Sequence, residues 1–213
     1  MLRVLPDGCA DLVWDGEQLL AVAARATPRR FPVRADSHNI GLRLRPGAAG
    51  TVFGVPAHEL PDDFVPLADL WGPAAHELAA RLAEDNGRDA HALLERHVAA
   101  RTAAHGLDPF VLAASDLLGR PGATVAAAAA AVGPSPRELG RRFLTHVGVG
   151  PKVLQRMLRF RAFLGLGLTA DRRHGLATVT SVSGLLDLDA RRLVPRPRDR
   201  WCTMATRPDL LGL

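Results

Sequence analysis

Little in this chain suits an extracellular, membrane-bound or metal-holding protein. Only two of its 213 residues are cysteine, Cys9 and Cys202. Two cysteines so far apart make neither a disulfide framework nor a zinc cluster, and a reducing, cytoplasmic setting is expected. No apolar run approaches the ~20 residues that a helical membrane span requires, and no signal-peptide pattern opens the sequence. There is no His-Glu-x-x-His, no phosphate loop and no Gly-x-Ser-x-Gly, so no enzyme activity, metal or cofactor is assigned. Asp7, Cys9, Asp11, His38 and His58-Glu59 lack metal-ligand or triad spacing, and Asp7-Gly8 reads as a turn. His91 and His97, six residues apart, do not share a helix face and read as surface or helix-end residues.

What the chain does have is an uneven distribution of charge. Its net charge is +5, and Lys152 is its single lysine. Residues 1–105 carry 11 basic and 14 acidic side chains, whereas residues 106–213 carry 16 and 8. A basic half joined to a mildly acidic one suggests a nucleic-acid module attached to something else. The length suits one to two domains.

The first 60 residues read mostly as β-structure. Leu12-Val13-Trp14 and Leu19 to Ala23 flank Asp15-Gly16 as a hairpin would. Ile40 to Arg45 alternates like a half-buried strand, and Pro46-Gly47 turns the chain into Thr51-Val52-Phe53-Gly54-Val55, read as a further extended segment. From Leu67 to Ala104 the apolar spacing becomes helical, with Asn86-Gly87 separating two helices. Trp14 and Trp71 read as core or pocket-wall residues. Asp108-Pro109 opens another helix that ends near Gly119.

The most informative stretch is Ser135-Pro136-Arg137-Glu138-Leu139-Gly140-Arg141-Arg142-Phe143. Ser135 suits an N-cap and Pro136 the first helical position, where a missing N–H costs nothing. Glu138, three residues after the cap, can close a capping box. Leu139 and Phe143 form a buried seam, and at about 100° per residue Arg137 and Arg141 fall on the opposite face. Alone, this run also fits a solvated surface helix. Upstream, however, Thr124 caps a helix of Val125 and six alanines that Gly133 ends. Helix, glycine turn and capped second helix make a helix-turn-helix. Downstream, Pro151 opens a helix from about Lys152 to Leu164, with Val153, Leu154, Met157, Leu158 and Phe160 as its apolar stripe.

Thr124 to Leu164 resembles, without a gap, the first helix-turn-helix and linker helix of AraC-type transcriptional regulators. The resemblance rests on Ala129, Gly133, then Ser135, Arg137, Leu139, Arg141 and Phe143, then Gly148 and Pro151, and finally Arg159 and Ala162. Leu5 to Trp14, Gly41 to Ala49 and Leu67 to Gly72 resemble the sensor region of one subgroup of that family. Relatives of that kind carry more residues ahead of the Pro-Asp-Gly string, so the resemblance implies a sensor lacking its first strands. An edge left open that way would be an aggregation liability. The family has a second helix-turn-helix. Here Leu176-Ala177 and Ser183-Gly184-Leu185-Leu186-Asp187 follow its frame, after which Pro195 and Pro197 would break any helix. A reading-frame shift near Asp187, a diverged basic arm on phosphates and a solvated tail without a role are the three explanations.

The expected fold is therefore α+β: a small N-terminal antiparallel β region followed by a mostly α-helical part with one intact helix-turn-helix. The expected units are a partial β sensor at 1–65, a helical connector at 66–105, a DNA-binding domain at 106–187 and an Arg/Pro-rich tail at 188–213. Within the DNA-binding domain the first helix-turn-helix spans 124–146, the linker helix 151–164 and the incomplete second unit 174–187. The resemblance implies sequence-specific binding of double-stranded DNA with the second helix in the major groove. Arg137 and Arg141 would reach base edges or phosphates, and Gly140, Leu144 and Thr145 would share the groove-facing side. Ser135 would sit near phosphate, with Arg142 and Lys152 as further phosphate contacts. A small-molecule effector and a second copy of the chain are the other partners this reading admits. The alternative is a sensor or interaction module whose DNA-binding part has decayed.

Overall fold

The computed structural model describes residues 2–31, 39–84 and 89–169. His38, Asn86-Gly87, the expected second unit at 174–187 and the tail at 188–213 lie outside the described residues. In chain order the elements are β1 (Leu2–Val4), β2 (Ala10–Trp14), β3 (Leu19–Val22), β4 (Arg29–Phe31), β5 (Ile40–Leu44), α1 (Ala49–Phe53), β6 (Val65–Pro66), α2 (Ala68–Trp71), α3 (Pro73–Glu84), α4 (Ala90–His105), α5 (Pro109–Leu118), α6 (Val125–Val132), α7 (Pro136–Val147) and α8 (Pro151–Thr169). This is the α+β arrangement expected from the sequence.

Strands β5-β2-β3-β6 form an antiparallel sheet, and β1 and β4 pair as a separate antiparallel ribbon. The hairpin between β2 and β3 pairs Trp14 with Leu19. Its turn is fixed by the Asp15 carboxylate, which accepts hydrogen bonds from the Glu17 and Gln18 amides at 2.9 and 2.8 Å. Alternation along the strands sends Ala10, Leu12, Trp14, Leu19 and Ala21 into the main core. Val13, Leu20 and Val22 point the other way, against Val4 and Phe64. On that second side Asp7 and Asp11 converge on Arg43, at 2.8 and 3.0 Å. Burial, reinforced by the Asp7 charge, pushes the Cys9 thiol up to about 12, so it stays protonated.

The main core runs from the sheet through α1 to α4, so the expected sensor and connector share one apolar interior. Trp71 is a core residue whose indole N–H donates to the Val52 carbonyl at 3.0 Å. Arg101 covers its ring at 4.5 Å and donates to the same carbonyl. A second core joins α5, α6, α7 and α8 through Val111, Ala129, Leu139, Phe143 and Leu154.

Two expectations need correction. The segment read as extended, Thr51 to Val55, is largely helical: α1 covers Ala49–Phe53. Its β-branched residues suit a strand. Yet Ala49, Thr51, Val52 and Phe53 are all buried, and one turn of helix distributes them around its circumference between α4 and α7. Tertiary packing overrides local preference here. The helix after Gly148 runs to Thr169, beyond the expected Leu164.

Phe143 is fully buried at the centre of the second core. Phe143→Ala is expected to cost about 3–5 kcal/mol in urea unfolding. Ser135→Ala, which removes only a cap, is expected to cost about 1 kcal/mol.

Candidate nucleic-acid interface

Helices α6 and α7 follow one another across a short turn at Gly133, and each begins as its sequence dictates. The Thr124 hydroxyl accepts from the Ala127 amide at 3.1 Å, and the Ser135 hydroxyl from the Glu138 amide at 3.2 Å. Pro136 opens α7. Gly133, at φ +103°, makes the turn that a residue with a Cβ would strain. Ala128 and Ala129 are buried where α6 meets its neighbours, and their small size permits close approach.

The seam of α7 is Leu139, Phe143 and Val147, all buried. Its other face is open. Arg137 is exposed, with no ion-pair partner among the described residues. The Arg141 side chain is 73% exposed. A Cβ at Gly140 would meet nothing within 4 Å. Leu144 is 41% exposed, one of the two large apolar side chains so exposed among the described residues. Thr145 is half-buried, and its hydroxyl donates to the Arg141 carbonyl at 3.3 Å. Ser135, Arg137, Gly140, Arg141, Leu144 and Thr145 thus lie on one helix. Lys152 lies on the next, exposed, with its ammonium donating to Gln155 Oε1 at 2.9 Å.

Glu138 uses its carboxylate differently from the capping-box expectation. Arg141 grips it with Nε at 3.0 Å and Nη2 at 2.8 Å, and Arg142 Nε donates to it at 2.9 Å. The Arg141 hydrogen bonds hold the Glu138 carboxyl below its ordinary range. Arg142 also donates to Asp108 Oδ2 at 2.7 Å and lies over the Phe110 ring at 5.2 Å. It therefore ties α7 to the start of α5.

Asp108 is the residue whose part in this site the sequence did not reveal. It was legible as a helix start, and its carboxylate does accept from the Phe110 and Val111 amides at 2.9 and 3.1 Å. Its second oxygen holds Arg142, a partner 34 residues away that no local pattern announces. His146 Nε2 stands 3.7 Å from the same oxygen. Burial works against the Asp108 charge. Hydrogen bonds from Arg142 and Val111, with the charges of Arg142 and His146, outweigh it and hold the carboxyl below its usual range. Burial lowers the His146 pKa, against the pull of Asp108.

Residues 1–66 match the family model of a domain of unknown function, DUF6597. The match spans β1 to β6 with α1 between them and stops before α2. Comparison with curated proteins and with solved structures found no match. Among the described residues there is no cluster of His, Cys, Asp or Glu suited to a metal ion. No described helix is long and apolar enough to cross a membrane.

Asp108 and His146 give a stability profile with a definite sign. Because the His146 pKa is lowered in the fold, the unfolded chain binds its proton more readily, and stability falls as pH drops below 6.5. The Asp108 contribution is complete above the unfolded value of 3.8 and is lost as pH falls through the lower folded value. In denaturant midpoints measured against pH, His146→Gln is expected to flatten the first decline. Asp108→Asn is expected to flatten the second and to lower stability at neutral pH.

Proposed function

We propose that this chain is a sequence-specific DNA-binding transcriptional regulator of the AraC type, with α7 in the major groove of double-stranded DNA. The observation that carries the reading is the open face of α7, where Arg137 and Arg141 stand one turn apart beside the bare backbone of Gly140. A helix with an anchored apolar back and two forward guanidinium groups suits bidentate recognition of guanine O6 and N7. The N-terminal match supports the reading, because that domain is found in the N-terminal region of AraC-like regulators.

In this reading Arg137 and Arg141 read base edges, Gly140 lets the helix approach closely, and Leu144 and Thr145 contact the far end of the site. The capped N-terminus at Ser135 and the ammonium of Lys152 face phosphates. Arg142, held by Asp108 and Glu138, sets the orientation of α7. In this reading the protein acts in the cytoplasm.

The test starts from DNA sites selected by the purified chain out of a random duplex library. Arg137→Ala and Arg141→Ala are each expected to weaken binding to a selected site by about 1–3 kcal/mol and to relax preference at one base position. Affinity is expected to fall linearly with salt on logarithmic axes. Selection of no consensus, together with equal binding by both variants, would overturn the reading.

A further inference from the structure

The end of α7 is closed by a part of the chain nearly ninety residues earlier. The last carbonyls of a helix have no donors within it. In α7 the Gly148 amide turns back to the Phe143 and Leu144 carbonyls, at 3.1 and 3.2 Å. The Thr145 carbonyl instead accepts the Ala57 amide at 2.7 Å, and the Leu144 carbonyl also receives the His58 amide at 3.2 Å. Ala57 is 0% exposed, so losing its bond to Thr145 would strand a buried amide, whereas the His58–Leu144 bond lies between exposed residues.

Two glycines make the contact sterically feasible. A Cβ on Gly148 would lie 3.0 Å from the Ala57 carbonyl oxygen. A Cβ on Gly50, within α1, would run into the Thr145 carbonyl and lie 3.2 Å from His146 Cα. Both obstacles are backbone, which cannot turn aside as a flexible side chain would. The same domain also grips α8: a Cβ on Gly8 would lie 2.6 Å from Leu154 Cδ1, and Arg161 Nη1 reaches Cys9 Sγ at 3.7 Å.

The geometry points to Gly50 and Ala57 as positioning residues through which the N-terminal domain, matched at residues 1–66, fixes the last turn of the recognition helix and so sets its affinity for DNA. This inference rests on the DNA-binding reading above, but the contact has its own readout. Leu144 and Thr145 belong to the groove-facing side, and their carbonyls are the ones the N-terminal domain holds. Loosening that hold lets the turn fray and misaligns Arg141, which precedes it by three residues.

The experiment uses the full chain and two variants that leave every proposed DNA contact intact. Gly50→Ala drives a wedge between α1 and α7, and Ala57→Pro removes the amide donor. Ala57→Gly keeps the donor and serves as the conservative replacement. Amide hydrogen exchange is read at Ala57, His58 and Gly148, and dissociation constants are read on a site selected by the wild type. Slow exchange at Ala57 is expected in the wild type, and fast exchange at His58 and Gly148 in Gly50→Ala and Ala57→Pro. Both variants are expected to bind roughly ten-fold more weakly, with Ala57→Gly within about two-fold of wild type. Exchange at Ala57 in the wild type as fast as in an exposed loop would overturn the inference without any variant. So would wild-type exchange and affinity in folded Gly50→Ala and Ala57→Pro. A wild type that binds no DNA would instead sink the reading of function, while exchange would still decide whether the N-terminal domain holds this helix.

Discussion

The Asp108 carboxylate is the point from which the helical half is laid out. One oxygen stops α5 from starting anywhere else, by accepting two amides of its first turn. The other receives the guanidinium of Arg142 from the middle of α7. A single buried charge thus fixes both where α5 begins and how α7 lies across it. The apolar seam of Leu139, Phe143 and Val147 then fills the space that this tie leaves. Hydrophobic contact alone permits a helix to roll or slide by a fraction of a turn, whereas a charge-assisted bond to a fixed oxygen does not. The open face of α7 is consequently a set direction in space.

Much of this was legible in the sequence because it is local chemistry. Thr124 and Ser135 cap helices, Gly133 turns between them, and Leu139 and Phe143 share a face; each follows from residues within a few positions of one another. The hairpin at Asp15 was legible for the same reason. What escaped was non-local. The segment after Pro46-Gly47 looks extended because Val52 and Phe53 favour strands, but it is enclosed by α4 and α7 and coils to bury itself on all sides. Arg142 was read as a phosphate contact, and only the folded chain brings Asp108 to it. Glu138 fitted a capping box by spacing, yet two arginines one turn further along take its carboxylate.

The boundary between the two halves was drawn from charge, helical spacing and resemblance, none of which reports tertiary contact. Charge changes sign near residue 105, and 66–105 was read as a helical connector. In the fold, α1 from the acidic half leans directly on α7 from the basic half, and the long helices α3 and α4 fill the main core behind it. The two halves differ in charge without being separate bodies, because backbone-to-backbone contact at Gly50 and Gly148 carries no signature in net charge or hydropathy.

The Glu138 carboxylate gives α7 a built-in competitor. Arg141 is not an idle cation: it already makes a two-pronged contact with an anion one turn behind it. Any phosphate or base edge that takes this guanidinium must first displace that carboxylate, which stays beside the new ligand with only Arg142 to hold it. A lone phosphate offers little over the bond it replaces. A planar acceptor pair that matches both prongs offers more. In the DNA-binding function proposed above, this intramolecular anion would favour acceptors whose geometry matches both prongs of Arg141.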